Sequence, residues 1–166
     1  MAKYRYNTKT QSFIEDNNNL GVFFYQKPWR EATQDEIDTY LLQEAKNNKI
    51  AEIQTAKETD LYLNVSYNNK DFISSEKAVS NMTGAIILNQ DSYNWLDANG
   101  NPNIMTVNDL RNLIGIIATQ RSLTYNKEAT KIKEINDAQT IEEVNLVDWN
   151  LSFATSPGFV SGVIDS

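Results

Sequence analysis

A chain of 166 residues is long enough for one ordinary domain with a small appendage. Hydrophobic residues make up 40% of it, enough for a sizeable core, and the net charge of -7 speaks against a general nucleic-acid or anionic-membrane surface. With no Cys and no His, disulfides, thiol nucleophiles and imidazole-centred acid–base or zinc chemistry are excluded within the chain.

The first ten residues lack the apolar core of a signal peptide, and no apolar run approaches the roughly 20 residues of a membrane-spanning helix. Residues 3–6 and 11–14 are short, aromatic or β-branched, and separated by a polar turn, which predicts an N-terminal hairpin. Residues 20–25 are a candidate third strand, and residues 27–30, containing Pro28, break that extended segment. Thr33 and Glu36 form a capping-box pattern that opens a helix from about Gln34 to about Lys57, with a bend or break expected at residues 46–49.

Alternation at Leu61, Leu63, Val65 and Tyr67 predicts a strand, which Asn68-Asn69-Lys70 turns into a second hairpin strand over Asp71-Phe72-Ile73. Ser74 or Ser75 then caps a helix carrying Ala78, Val79, Met82, Ala85, Ile86 and Leu88. Apolar segments around Trp95 and Ile104 flank Asn99-Gly100, a dipeptide suited to the positive φ angles of a tight hairpin turn. Thr106 and Asp109 open a long helix to about Asn136, and its apolar residues crowd into residues 107–118, so that half is expected to be the buried one. Thr140 and Glu143 cap a last short helix before Trp149. Trp95 and Trp149 are assigned to the core.

The candidate chemical constellations have simpler readings. Asp97, Asn99 and Asn101 are spaced like the start of a calcium loop, but Pro102 stands where the loop needs glycine and Asn108 where it needs an acid. Asp35-Glu36 and Glu142-Glu143 sit in first turns of helices, where carboxylates offset the helix dipole. Ser74, Ser75, Ser156 and Ser161 have no His to activate them. No catalytic, cofactor-binding or metal-ligating residue is assigned. The segment after Leu151 carries Pro157, Gly158 and Gly162 against a regular helix, yet Phe153, Phe159, Val160, Val163 and Ile164 make it too apolar for a solvated tail. Those five residues, with Trp29, are the expected partner-binding set: the segment either folds back over its own core or docks on a neighbouring copy or another protein as an extended arm that adds to a sheet edge or fills a groove.

Four features occur in order: the hairpin and helix over residues 62–88, Trp95 with Asp97-Ala98-Asn99-Gly100-Asn101-Pro102, the Met105-Thr106-Val107-Asn108-Asp109-Leu110 helix opening, and residues 140–149. Together, over about residues 48–149, they resemble a domain of unknown function in tailed-phage and prophage proteins whose genes often lie beside tail-fibre genes. Residues 28–37 are similar to the entry into the helical part of phage tail-fibre assembly-type proteins. The resemblance implies a non-enzymatic protein made in a bacterial host cytoplasm, either a virion tail component or a tail-fibre assembly factor. Its implied partners are other tail or tail-fibre proteins and possible further copies of itself, with no nucleic acid and no membrane insertion. A receptor- or glycan-binding module is the alternative, and a metal-dependent enzyme using acidic residues the remotest. The expected fold class is α+β: a β-hairpin head (1–32), a linking helix (33–57), a main domain of hairpins and helices (58–150) and an extended arm (151–166).

Overall fold

The computed structural model describes residues 3–16 and 28–151, which form an α+β fold. β1 (Lys3–Asn7) and β2 (Ser12–Asp16) make the first hairpin. Asn7 turns it: its Oδ1 accepts the backbone N–H groups of Lys9 and Thr10 at 2.9 and 3.0 Å. β3 (Trp29–Glu31) pairs with the far side of β1, giving the antiparallel order β2-β1-β3. Residues 29–30 therefore continue extended structure where a break is expected from sequence. Pro28 stands just before the strand, where its missing N–H interrupts no ladder bond, and its carbonyl accepts from Thr8 N–H at 3.0 Å. The expected strand at residues 20–25 lies outside the described residues.

α1 (Gln34–Leu61) starts at the Thr33–Glu36 capping box and runs 28 residues without the break expected at 46–49. The polar residues there are bonded along or away from the helix. Gln43 donates to Asn47, Lys49 pairs with Glu52 at 2.9 Å, and Lys46 reaches the Asn136 carbonyl at 2.8 Å. The helix also outruns the expected end, so Leu61 is buried as its last residue, Leu63 is exposed, and β4 begins only at Val65 (Val65–Tyr67). β4 turns into β5 (Lys70–Phe72) through Asn68 and Asn69, both left-handed at φ 50° and 61°, as a two-residue I′-type loop requires.

Ser75 caps α2 (Glu76–Leu88), and left-handed Asn89 ends it. β6 (Tyr93–Leu96) and β7 (Pro102–Met105) form the third hairpin. Its turn falls within Asp97–Asn101 as expected from sequence, but Asn99 does not take the positive φ expected of the Asn-Gly pair. Gly100 N–H bonds to Asp97 O, Asp97 N–H bonds to Asn101 O, and only Gly100 has positive φ, at 82°. That is a three-residue loop closed by a glycine bulge. α3 (Val107–Asp137) opens at a Thr106–Asp109 capping box, and α4 (Ile141–Leu146) at a Thr140–Glu143 one.

α1 and α3 run antiparallel: Lys46 meets Asn136, Lys57 meets Glu128, and Asp60 meets Lys127. One core, around Phe72, Met82, Leu110, Leu113 and Ile117, joins the second and third hairpins, α2 and the first half of α3. A second, around Ile53, Ile135, Val144 and Trp149, joins α1, the second half of α3 and α4. Both halves of α3 are thus buried, contrary to the expectation that only the first would be. The second half presents a narrower face, Thr124, Lys131 and Ile135, and α1 and α4 cover it. Trp149 is buried at 5% exposure, while Trp95 is half-buried and packs at the edge of the first core. Among the described residues no helix is long and apolar enough to cross a membrane.

Trp149→Ala is expected to cost about 3–5 kcal/mol in denaturant melts, as for other buried tryptophans, and Trp95→Ala distinctly less. Leu146→Ala, at an exposed position of α4, should change stability by no more than about 0.5 kcal/mol.

Candidate interaction surfaces

Of the residues singled out from sequence for partner binding, Trp29 alone is among the described residues. Trp29 is half-buried on β3 opposite Asn7, and Phe153, Phe159, Val160, Val163 and Ile164 lie outside the described residues. Ser75 caps α2, while buried Ser74 donates to the Leu63 carbonyl at 2.7 Å.

Asp97 is 7% exposed, and its carboxylate is consumed by its own loop. Oδ1 accepts the backbone N–H groups of Asn99 and Asn101, both at 2.9 Å, and Oδ2 accepts from the Asn101 side-chain amide at 3.2 Å. These bonds, led by the Asn101 N–H, hold the Asp97 carboxyl below its ordinary range. An aspartate arranged in this way braces a turn. Among the described residues no three acidic side chains gather where they could share a metal ion.

The head forms an open groove of about 720 Å³ between β2 and the first turns of α1. Phe13 stacks on Tyr40 at 4.7 Å between centroids, with Tyr6 tilted against Phe13 at 5.0 Å, and Gln11, Thr39 and Gln43 supply polar groups. One wall is fixed by charge. The Arg30 guanidinium forks onto both oxygens of Glu36, one bond at 2.7 Å, and lies 4.8 Å above the Tyr6 ring. The Arg30 hydrogen bonds, followed by the Thr33 N–H, bring the Glu36 carboxyl down to about 2.

A second surface lies on the outer face of the third hairpin. The register pairs Leu96 with Pro102 and Asn94 with Ile104, so these four share the face opposite Tyr93, Trp95, Asn103 and Met105. A half-buried hairpin ordinarily turns polar side chains outward. Here Leu96 is 59% exposed and Ile104 78%. The signal was present in the sequence: Trp95-Leu96 and Ile104-Met105 are adjacent apolar pairs, and adjacent strand residues cannot both face one core.

A third lies along α3, where Gly115, Ile116, Thr119 and Leu123 line a shallow hollow of about 650 Å³, with Leu123 64% exposed.

Two expectations follow from these sites. A carboxylate with its folded pKa below its unfolded one stabilises the fold above the unfolded value and loses that contribution as pH falls. The Glu36 contribution should therefore be complete above about pH 4.5 and fade toward about pH 2. NMR titration should place the Glu36 midpoint near 2, and Arg30→Leu should return it toward the ordinary carboxylate value. Millimolar calcium should leave Tm unchanged, because the Asp97 oxygens are already bonded within the loop; a rise of several degrees would show a native-state cation site.

No family model, no curated protein and no solved structure matches the chain.

Proposed function

We propose that this is a non-enzymatic phage or prophage tail-associated protein, acting through protein–protein contacts as a virion component or as a tail-fibre assembly factor. Two things support the reading. The sequence resemblance over about residues 48–149 supplies the tail context. The outward apolar face of the third hairpin, Leu96 and Ile104, supplies the structural observation: on a chain of net charge -7 it is an exposed apolar surface suited to a protein partner rather than to nucleic acid.

The groove of Tyr6, Phe13 and Tyr40 favours a second reading, a receptor- or glycan-binding head, since stacked rings edged by amide and hydroxyl groups suit a sugar face. Loss of glycan binding in a Tyr40→Ala protein would mark that reading.

Mass spectrometry of purified particles tests the main proposal. A stoichiometric amount of this chain in the particle identifies a virion component. Its absence, together with unassembled fibres when the gene is deleted, identifies an assembly factor. Particles that lack the chain and assemble normally without it would overturn both. Leu96→Asp with Ile104→Asp should abolish whichever role is found without unfolding the chain, since both side chains are already in water.

A further inference from the structure

The bonds that close the third hairpin fix which way each of its backbone groups points. Asp97 N–H bonds to the Asn101 carbonyl at 3.0 Å, so these two residues form a bonded pair at the end of the ladder. Opposed residues of an antiparallel pair alternate between bonded and non-bonded positions. Counted back through the register, Trp95 with Asn103 and Tyr93 with Met105 exchange the ladder bonds. The N–H and C=O groups of Asn94 and Leu96 therefore point away from β7, and those of Pro102 and Ile104 point away from β6. The two edges differ. Pro102 has no N–H, which leaves β7 a single outward donor at Ile104. The second hairpin also stands beside that edge: Ala98 N–H bonds to the Asp71 carbonyl at 2.7 Å, and Tyr67, Lys70 and Phe72 line a groove of about 380 Å³ with Ile104. β6 carries no Pro, no Lys and no charge, the usual devices that block an edge. Among the described residues nothing bonds to the Asn94 or Leu96 backbone on its outward side.

We propose, resting on the reading of Leu96 and Ile104 as a partner surface, that the edge of β6 takes up an extended segment of another protein as an added strand. Asn94 and Leu96 offer two donors and two acceptors, so main-chain bonds hold the segment. Every second side chain of an added strand falls on the outer face beside Leu96, which calls for apolar residues at alternate positions. Area and charge disfavour a second copy as the occupant. Two exposed side chains fall far short of the roughly 800 Å² per partner that a stable dimer buries, and every copy carries a net charge of -7. The same charge selects a neutral or basic segment.

A random peptide library selected against the full-length protein supplies the probe. Selected peptides should carry alternating apolar residues and slow amide hydrogen exchange at Asn94 and Leu96 about tenfold or more. N-methylation, which removes a backbone donor, should abolish binding on one alternating set of peptide residues and spare it on the other. Asn94→Pro should abolish binding without lowering Tm, since it removes an outward N–H and no ladder bond. Binding lost to Leu96→Asp with Ile104→Asp but indifferent to N-methylation would keep the apolar face and overturn the added strand. Binding indifferent to the two aspartates would overturn both the strand and the surface on which it rests. Asn94 and Leu96 amides already protected in the protein alone would also overturn it. Protection that rises with protein concentration would assign the edge to a second copy, and constant protection to the chain itself. Selection of no peptide that slows these two amides would overturn it as well.

Discussion

The antiparallel pairing of α1 with α3 is the contact on which the rest of the molecule depends. α1 has 28 residues, about 42 Å of helix, but buries only Ile53 and Leu61 fully. A helix so polar around its circumference gains little from its own amphipathicity and must be held by what it touches. The second half of α3 and α4 hold it. Ile53 enters the cluster of Ile135, Val144 and Trp149. At the end of α1, Asp60 Oδ2 accepts the Trp149 indole N–H at 2.7 Å and faces Lys127 at 3.3 Å. One carboxylate thereby ties the end of α1, the middle of α3 and the last described turn of the chain. Truncating one member leaves the others with unmatched polar groups in a half-buried place, which is why Trp149 matters beyond its area.

This pairing also sets where the surfaces lie. The N-terminal turns of α1, carrying Tyr40, receive the aromatic face of the head sheet, and Tyr4 lies 6.0 Å from the same ring. The second and third hairpins gather on the first half of α3, around Leu110, Leu113 and Ile117. Tyr67 donates to Asp109 at 2.8 Å and Lys70 bonds to Asn103, so the hairpins are fixed both to the helix and to each other. With their inner faces committed in this way, the outer face of the third hairpin and the outer stripe of α3 are left exposed among the described residues.

Local chemistry was the most legible part of the sequence. Thr33, Thr106 and Thr140 each cap a helix as their side chains and the acids three residues on suggest, because a cap depends only on residues three or four apart, and of the two candidate serines before α2 it is Ser75 that caps. The second hairpin's turn was legible for the same reason, although the sequence suggests a turn through Lys70, which instead opens β5. What was misread depended on distant partners. Lys46–Lys49 looked like a break because nothing nearby shows that Lys46 would reach the Asn136 carbonyl. The alternation at Leu61 and Leu63 looked like a strand, whereas Leu61 is claimed by the helix that precedes it. The late burial of Ile135 could not be seen without knowing that α1 lies beside it. Of the candidate surfaces, the doubled apolar pairs at 95–96 and 104–105 were readable, while the head groove required the placement of α1 against β2.

Native-state hydrogen exchange tests most directly whether α1 and α3 form one cooperative pair. The amides of residues 45–60 in α1, of residues 120–135 in α3, and of the last turn of α4 should share one opening free energy and respond together to low denaturant. If the α1 amides instead open far below those of α3, with their own denaturant dependence, α1 is a connector between separate units and its pairing with α3 does not hold the molecule together.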